Sequence, residues 1–214
     1  MMKVFSLILF GLSLLLGLSF FVPKKEIEEQ TERFKTKLQE LAGKDSSYLV
    51  GQAIDSLHGV KVYYNGQPHQ VWGRNRTAEG YNLGLKYQCV EFVKRYYYEH
   101  LNHKMPDTYG HAKDFFNKNL SDSSYNAQRD LMQYSNPAKT QPQVGDLLIF
   151  KAIEKHVYGH VAIISRVEEK EVEIIQQNPL WTEGSRAIFP LVYENEHWKI
   201  KHELILGWLR KETM

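Results

Sequence analysis

Apolar positions dominate the start of the chain. Residues 4 to 22, VFSLILFGLSLLLGLSFFV, are uncharged and broken only by serines and glycines, with Lys3 ahead of them. Such a run predicts a membrane-targeting segment, between a signal-peptide core of about 7–15 apolar residues and a spanning helix of about 20. Gly17 and Ser19 offer a small-x-small pair to a signal peptidase, so a cleaved signal and a retained anchor both fit. Lys3 on one side and Lys24 and Lys25 on the other leave the orientation open. An N-terminal segment of this kind ordinarily sends the following domain across the membrane. The expectation is a secreted or membrane-anchored protein with an extracytoplasmic domain, against the alternative of a cytoplasmic domain on an anchor.

The pattern then changes to charge. From Lys24 to Lys44, Ile27, Phe34, Leu38 and Leu41 recur at helical offsets in KKEIEEQTERFKTKLQELAGK, with Gly43 where a helix would stop. This predicts an amphipathic spacer helix, read first as a solvated stalk. The organisation is therefore 1–22 signal peptide or membrane anchor, 23–46 charged helical spacer, and 47–212 one domain.

Within that domain, β-rich runs flank Asn65-Gly66, a pair suited to a tight hairpin turn. Val90, Val93, Tyr97 and Leu101 then recur at helical spacing and predict a helix from about Gln88 to Leu101. Asp107 to Leu120 reads as a second helix with Ala112, Phe115 and Phe116 inward, and Ser121 to Gln143 is polar and weakly patterned. The β-like runs 146–150, 160–165, 172–177 and 203–210 follow, with AIFPLV and HWKIK between the last two. Helices before strands predict an α+β fold, N-terminal helices packed on an antiparallel β-sheet.

Composition narrows the chemistry. The 214 residues are 43% apolar and 13% aromatic, which excludes a disordered tail. A net charge of +2 makes no electrostatic case for a nucleic-acid partner. With Cys89 the only cysteine, an intrachain disulfide and any multi-cysteine metal site are excluded by counting.

The position of Cys89 decides how it is read. A lone cysteine is most simply a small buried hydrophobe. This one falls at the start of the predicted helix, where unpaired N–H groups and the helix dipole favour a thiolate. The same N–H groups, with the Gln88 amide, could hold the oxyanion formed when a thiolate attacks an amide carbonyl. Glu91 reads as a first-turn carboxylate. Of the nine histidines, His160 is the candidate base, because it opens a buried strand where polar groups need a purpose. His156, four residues earlier, makes no metal pair with it, since Gly159 and the absence of helical periodicity leave the spacing uninformative. If strands 160–166 and 172–178 form a hairpin, an odd loop puts Gln176 and Asn178 on the His160 face and an even loop puts Gln177 there. Gln176 and Asn178 are taken as the residues that orient the base.

The segments Gln88-Cys89-Val90-Glu91-Phe92-Val93-Lys94-Arg95, Gly145-Asp146-Leu147-Leu148-Ile149-Phe150 and Gly159-His160-Val161-Ala162-Ile163-Ile164 resemble the CHAP family of cysteine- and histidine-dependent amidohydrolases and peptidases. With Gln176-Gln177-Asn178 and Ile205-Leu206-Gly207-Trp208, the likeness is to the glutathionylspermidine amidases within it, over most of Ser47 to Arg210. The resemblance implies a papain-like CHAP fold and no cofactor or metal. It makes Cys89 the nucleophile and His160 the general base and acid, with Gln176 and Asn178 beside the histidine. It places substrate contacts at Gln88, Lys94, Tyr109, Gly110, His111 and Ala112. The implied partner is a small-molecule amide, a glutathione–polyamine conjugate, whereas export across a membrane suggests a peptidoglycan peptide. Gln176 stands where the resembling amidases carry a glutamate. A neutral amide orients an imidazole but stabilises an imidazolium less, so a weakly active binding module is a further alternative.

Overall fold

The computed structural model describes residues 29–31, 33, 48–67, 69–179 and 184–212. The apolar segment 4–22 and most of the spacer lie outside the described residues. Among those described, no helix is long and apolar enough to cross a membrane. The chain divides into two compact units, Met1–Ala42 and Gly43–Met214. In the first, Glu29, Gln30, Thr31 and Arg33 are helical and exposed.

The second unit opens with a hairpin of β1 (Ala53–Leu57) and β2 (Val60–Tyr63). Its turn is His58-Gly59, with φ of 46° and 84°, the double positive φ that matches strand twist in a two-residue loop. The turn expected at Asn65-Gly66 does not form a hairpin. Asn65 is buried instead, its carbonyl accepting from the Trp72 indole N–H at 2.9 Å and its side-chain amide donating to the Gln67 carbonyl at 3.0 Å. A second small hairpin pairs β3 (Arg74–Arg76) with β4 (Asn82–Leu85), and β4 leads into α1 (Cys89–Glu99).

The remaining strands are β5 (Ser124–Asn126), β6 (Leu131–Ser135), β7 (Leu147–Phe150), β8 (His160–Val167), β9 (Glu171–Ile175), β10 (Arg186–Glu194), β11 (His197–Ile200) and β12 (Ile205–Arg210). They form one eight-stranded antiparallel sheet in the order β11-β10-β9-β8-β7-β12-β6-β5. Its central strands read as unbroken apolar runs because both faces are covered. Leu147, Ile149, Val161 and Ile163 meet Phe92, Val93, Tyr96 and Tyr97 of α1 on one face. Leu148, Phe150, Ala162 and Ile164 alternate with them and pack with Ile174, Leu191 and Trp208 on the other. Tyr97 pins the helix to the sheet, its buried hydroxyl lying 3.1 Å from the Leu209 carbonyl and 3.2 Å from that of Gly145.

The expected α+β architecture of N-terminal helices packed on a sheet is overturned. The described part of the second unit is mostly β, with α1 and a single 3-10 turn, Ala112–Phe115, as its helical elements. The segment 107–120 fails as an α-helix because Arg129 takes its carbonyls. The buried Arg129 guanidinium donates to the carbonyls of Asp107 at 2.8 Å and Asp114 at 3.1 Å and stacks 3.9 Å from the Phe115 ring. Gly110, at φ 111°, breaks the helical path between them. Of the residues expected to face inward, Ala112 and Phe115 are buried and Phe116 is half-buried. The stretch 121–143 contributes β5 and β6, too short to announce themselves by alternation.

Candidate active site

The helix that carries Cys89 begins abruptly. Leu85 to Gln88 form a tight turn, closed by the Gln88 N–H on the Leu85 carbonyl at 3.0 Å, and Gln88 is the extended residue at the helix start. Gly84 makes the approach possible. At φ 135° a β-carbon there would lie 3.1 Å from the Glu91 backbone, so a side chain would be strained and would force the first turn of α1 to give by a few tenths of an ångström. Cys89 is half-buried. Its sulfur is met by the N–H groups of Val161, Val90 and Cys89 itself. The contact with Val161 brings the first peptide of β8 against the first turn of α1, and His160 is the other half of that peptide. Burial nevertheless dominates and pushes the Cys89 thiol up to about 11.

His160 opens β8 opposite Phe150 and is fully buried. Gly159 before it has φ 71°, and a β-carbon there would stand 2.7 Å from the Phe150 carbonyl oxygen. The strand can therefore turn inward only through glycine. The His160 Nε2–H donates to Gln176 Oε1 at 2.8 Å. Desolvation is the main influence on the ring and draws its pKa down to about 4, with the Gln176 hydrogen bond opposing and His156 adding to the depression.

A bulge selects Gln176 as the partner. Val167 pairs with Val172 and Arg166 with Glu173, which leaves a short loop of even length whose register would put Gln177 on the His160 face. The register shifts between Ile164 and Arg166, so that Ile164 pairs with Ile174 and Ile163 with Ile175. Ser165 is the inserted residue, its hydroxyl bonded to the Glu173 carbonyl at 3.1 Å and its carboxylate at 2.8 Å. One extra residue exchanges the faces. Gln176 meets His160, and Gln177 faces α1.

On that side Gln177 is fully buried and ties the sheet to the nucleophile's helix. Its Nε2 donates to the Gln88 carbonyl at 3.1 Å and to Glu91 Oε2 at 2.8 Å, and its Oε1 accepts the Tyr63 N–H at 2.7 Å. Glu91 is buried and paired with Arg95 at 2.7 Å, and Asn75 donates to it at 2.8 Å. It anchors the helix from beneath. Asn178, at φ 53°, donates to Gln88 Oε1 at 2.8 Å, and Gln88 Nε2 donates to the Gln70 carbonyl at 2.6 Å.

These elements enclose a cleft of about 580 Å³. Of the residues singled out in the sequence, Cys89, His160, Asn178, Gln88, Tyr109, Gly110, His111 and Ala112 line it. Gln176 stands behind His160, out of the lining. Lys94 is placed differently. It is 1% exposed, its ammonium donates to the carbonyls of Asn82 and Thr108, and it lies 4.8 Å from the Tyr81 ring. Burial, with Arg129 nearby, draws its pKa down to about 8. Arg74, Asn82, His69 and His156 also line the cleft and were not foreseen. They come from loops and short strands with no periodicity to mark them.

The cleft thus holds a cysteine at a helix start and a histidine whose ring is held by an amide, side-chain types that nucleophilic acyl transfer uses. Comparison with known proteins points the same way: the CHAP domain family model matches residues 79–178 of this chain. The chain is 26% identical over 160 residues to a trypanothione synthetase of Crithidia fasciculata, covering 70% of this chain and 24% of that protein. It is 30% identical over 139 residues to a bifunctional glutathionylspermidine synthetase/amidase of Escherichia coli K12, covering 59% of this chain and 22% of that protein. The same figures hold for the Shigella flexneri protein of that name. The chain thus spans about a quarter of the length of these relatives.

Proposed function

We propose that this protein is a cysteine amidase or peptidase that cuts an amide bond through a thioester. The observation that carries this is the buried His160–Gln176 hydrogen bond beside a sulfur that receives the Val161 N–H. With Gln176 Oε1 accepting, His160 carries its proton on Nε2, and Nδ1 is the basic nitrogen. At neutral pH the pair is a neutral thiol and a neutral imidazole. Proton transfer then accompanies attack rather than preceding it: the Cys89 sulfur bonds the amide carbon as its proton passes to Nδ1. The backbone N–H at the start of α1 and the second Gln88 amide hydrogen receive the oxyanion. Collapse breaks the C–N bond, and the imidazolium returns its proton to the departing amine. Water, deprotonated by Nδ1, then attacks the thioester, the acid leaves and the thiol recovers its proton.

Asn178 holds the Gln88 side chain in this scheme. Tyr109, Gly110, His111 and Ala112 form the substrate wall, while Lys94 acts from behind it by fixing the carbonyls of Asn82 and Thr108. An N-terminal anchor or signal that delivers the domain outside the cytoplasm belongs to the same proposal, with a peptidoglycan peptide as the second substrate class. The test compares wild type with Cys89→Ala on glutathionylspermidine and on purified peptidoglycan. The expected result is release of amine or peptide by wild type alone. Inactivity of wild type on both overturns both substrate assignments, and equal activity of Cys89→Ala overturns the mechanism.

A further inference from the structure

We infer that the cleft recognises an acyl group bearing a free carboxylate, and that Arg74 is the specificity-determining residue that binds it. The inference takes from the amidase reading only which bond is cut; the charge preference stands on the cleft itself. Among the described residues that line the cleft there is no aspartate or glutamate, and Arg74 is the permanently charged side chain. Lys94 cannot serve, because its ammonium is turned away onto two backbone carbonyls.

Arg74 is exposed at the cleft, and its head group is held in place. Its Nη1 donates to Asn82 Oδ1 at 3.0 Å, and its guanidinium stacks 5.3 Å from the Tyr109 ring. Asn82 is 2% exposed and is itself fixed by donating to the Thr108 carbonyl at 2.6 Å. Arg76 donates to the Tyr109 hydroxyl at 3.5 Å, steadying the other side of the stack. These contacts orient the plane and use one of the five N–H groups, which leaves a two-donor edge suited to a carboxylate. Orientation before binding lowers the entropy lost when a ligand arrives. Arg74 also pairs with Leu85, where the turn into Gln88 and Cys89 begins, and it lines the same cleft as Cys89.

The same arrangement bears on the leaving group. A spermidine-like polyamine finds no carboxylate among the described lining residues and meets Arg74 as a like charge. Peptides and γ-glutamyl amides whose acyl part bears a free carboxylate are the substrate class that fits.

The single thiol makes this testable without a known substrate. Cys89 in the full chain is treated at pH 8 with two methanethiosulfonate reagents, one carrying a sulfonatoethyl and one a trimethylammonioethyl group, and modification is followed by intact mass. Each forms a mixed disulfide and releases methanesulfinate, so only charge differs. The anionic-to-cationic rate ratio, divided by that of N-acetylcysteine amide, is expected to be on the order of tenfold in wild type. Arg74→Gln, which keeps a hydrogen bond to Asn82, should bring it to within about twofold of unity, and Arg74→Lys should retain most of it. A wild-type ratio at or below the reference, or one unchanged in Arg74→Gln, overturns the inference. Because no turnover is needed, loss of the amidase reading leaves this result standing, and the reverse.

Discussion

The imidazole of His160 donates to the side-chain oxygen of Gln176 across 2.8 Å, with both residues shut off from water. The contact favours the Nε2–H tautomer but supplies no charge. A neutral amide fixes the ring without paying for its protonation, and burial works against the charged forms of both His160 and Cys89. In the proposed mechanism the resting pair is therefore uncharged at neutral pH.

Gln176→Glu tests that state. A carboxylate on Nε2 favours the imidazolium by about 1–3 pKa units. The His160 pKa, followed by NMR, should rise by that amount, and alkylation of Cys89 by iodoacetamide at pH 7 should accelerate at least about tenfold as thiolate becomes populated. An unchanged histidine pKa would show that Gln176 does not govern the ring.

The wild-type thiol should titrate like a buried one. Its alkylation rate is expected to rise about tenfold per pH unit between pH 7 and 9.5, as the thiolate fraction of a group near 11 grows, with no plateau at neutrality. A plateau between pH 5 and 7 would reveal a preformed thiolate–imidazolium pair.

Stability should carry the signature of a histidine buried neutral. The folded pKa of about 4 lies below the ordinary histidine value of 6.5, so the unfolded chain takes up the proton first as pH falls. The contribution is complete above about pH 6.5, declines between there and pH 4, and is constant below, a loss of about 3 kcal/mol in all. Denaturant unfolding at pH 7 and pH 4.2 measures it. His160→Gln should show a smaller difference between the two pH values than wild type, and equal differences would refute the assignment.

Beneath the site, Glu91→Ala should cost about 3–5 kcal/mol, because it leaves the Arg95 guanidinium buried without its carboxylate. Glu91→Gln should cost less, since an amide still accepts from Asn75. Urea midpoints rank the variants. Similar midpoints for all three proteins would mean that the pair does not hold α1 in place.

What the sequence by itself determined is local. The start of α1 at Gln88 and the apolar strands of the sheet's centre follow from spacing and side-chain type, which depend on near neighbours. Other features waited on distant contacts. A helix at 107–120 satisfied the apolar pattern and lost to Arg129, whose guanidinium occupies the carbonyls such a helix needs. Lys94 lies in the same motif as Cys89, yet the Asn82 and Thr108 carbonyls draw its ammonium behind the cleft wall. Arg74 sits in a stretch without periodicity and becomes part of the cleft through Asn82 and Tyr109. The choice between Gln176 and Gln177 rested on strand parity, which an insertion at Ser165 reverses. Register and buried hydrogen-bond partners are properties of segments brought together, so the tertiary structure alone decided which amide meets His160 and which charged side chain lines the cleft.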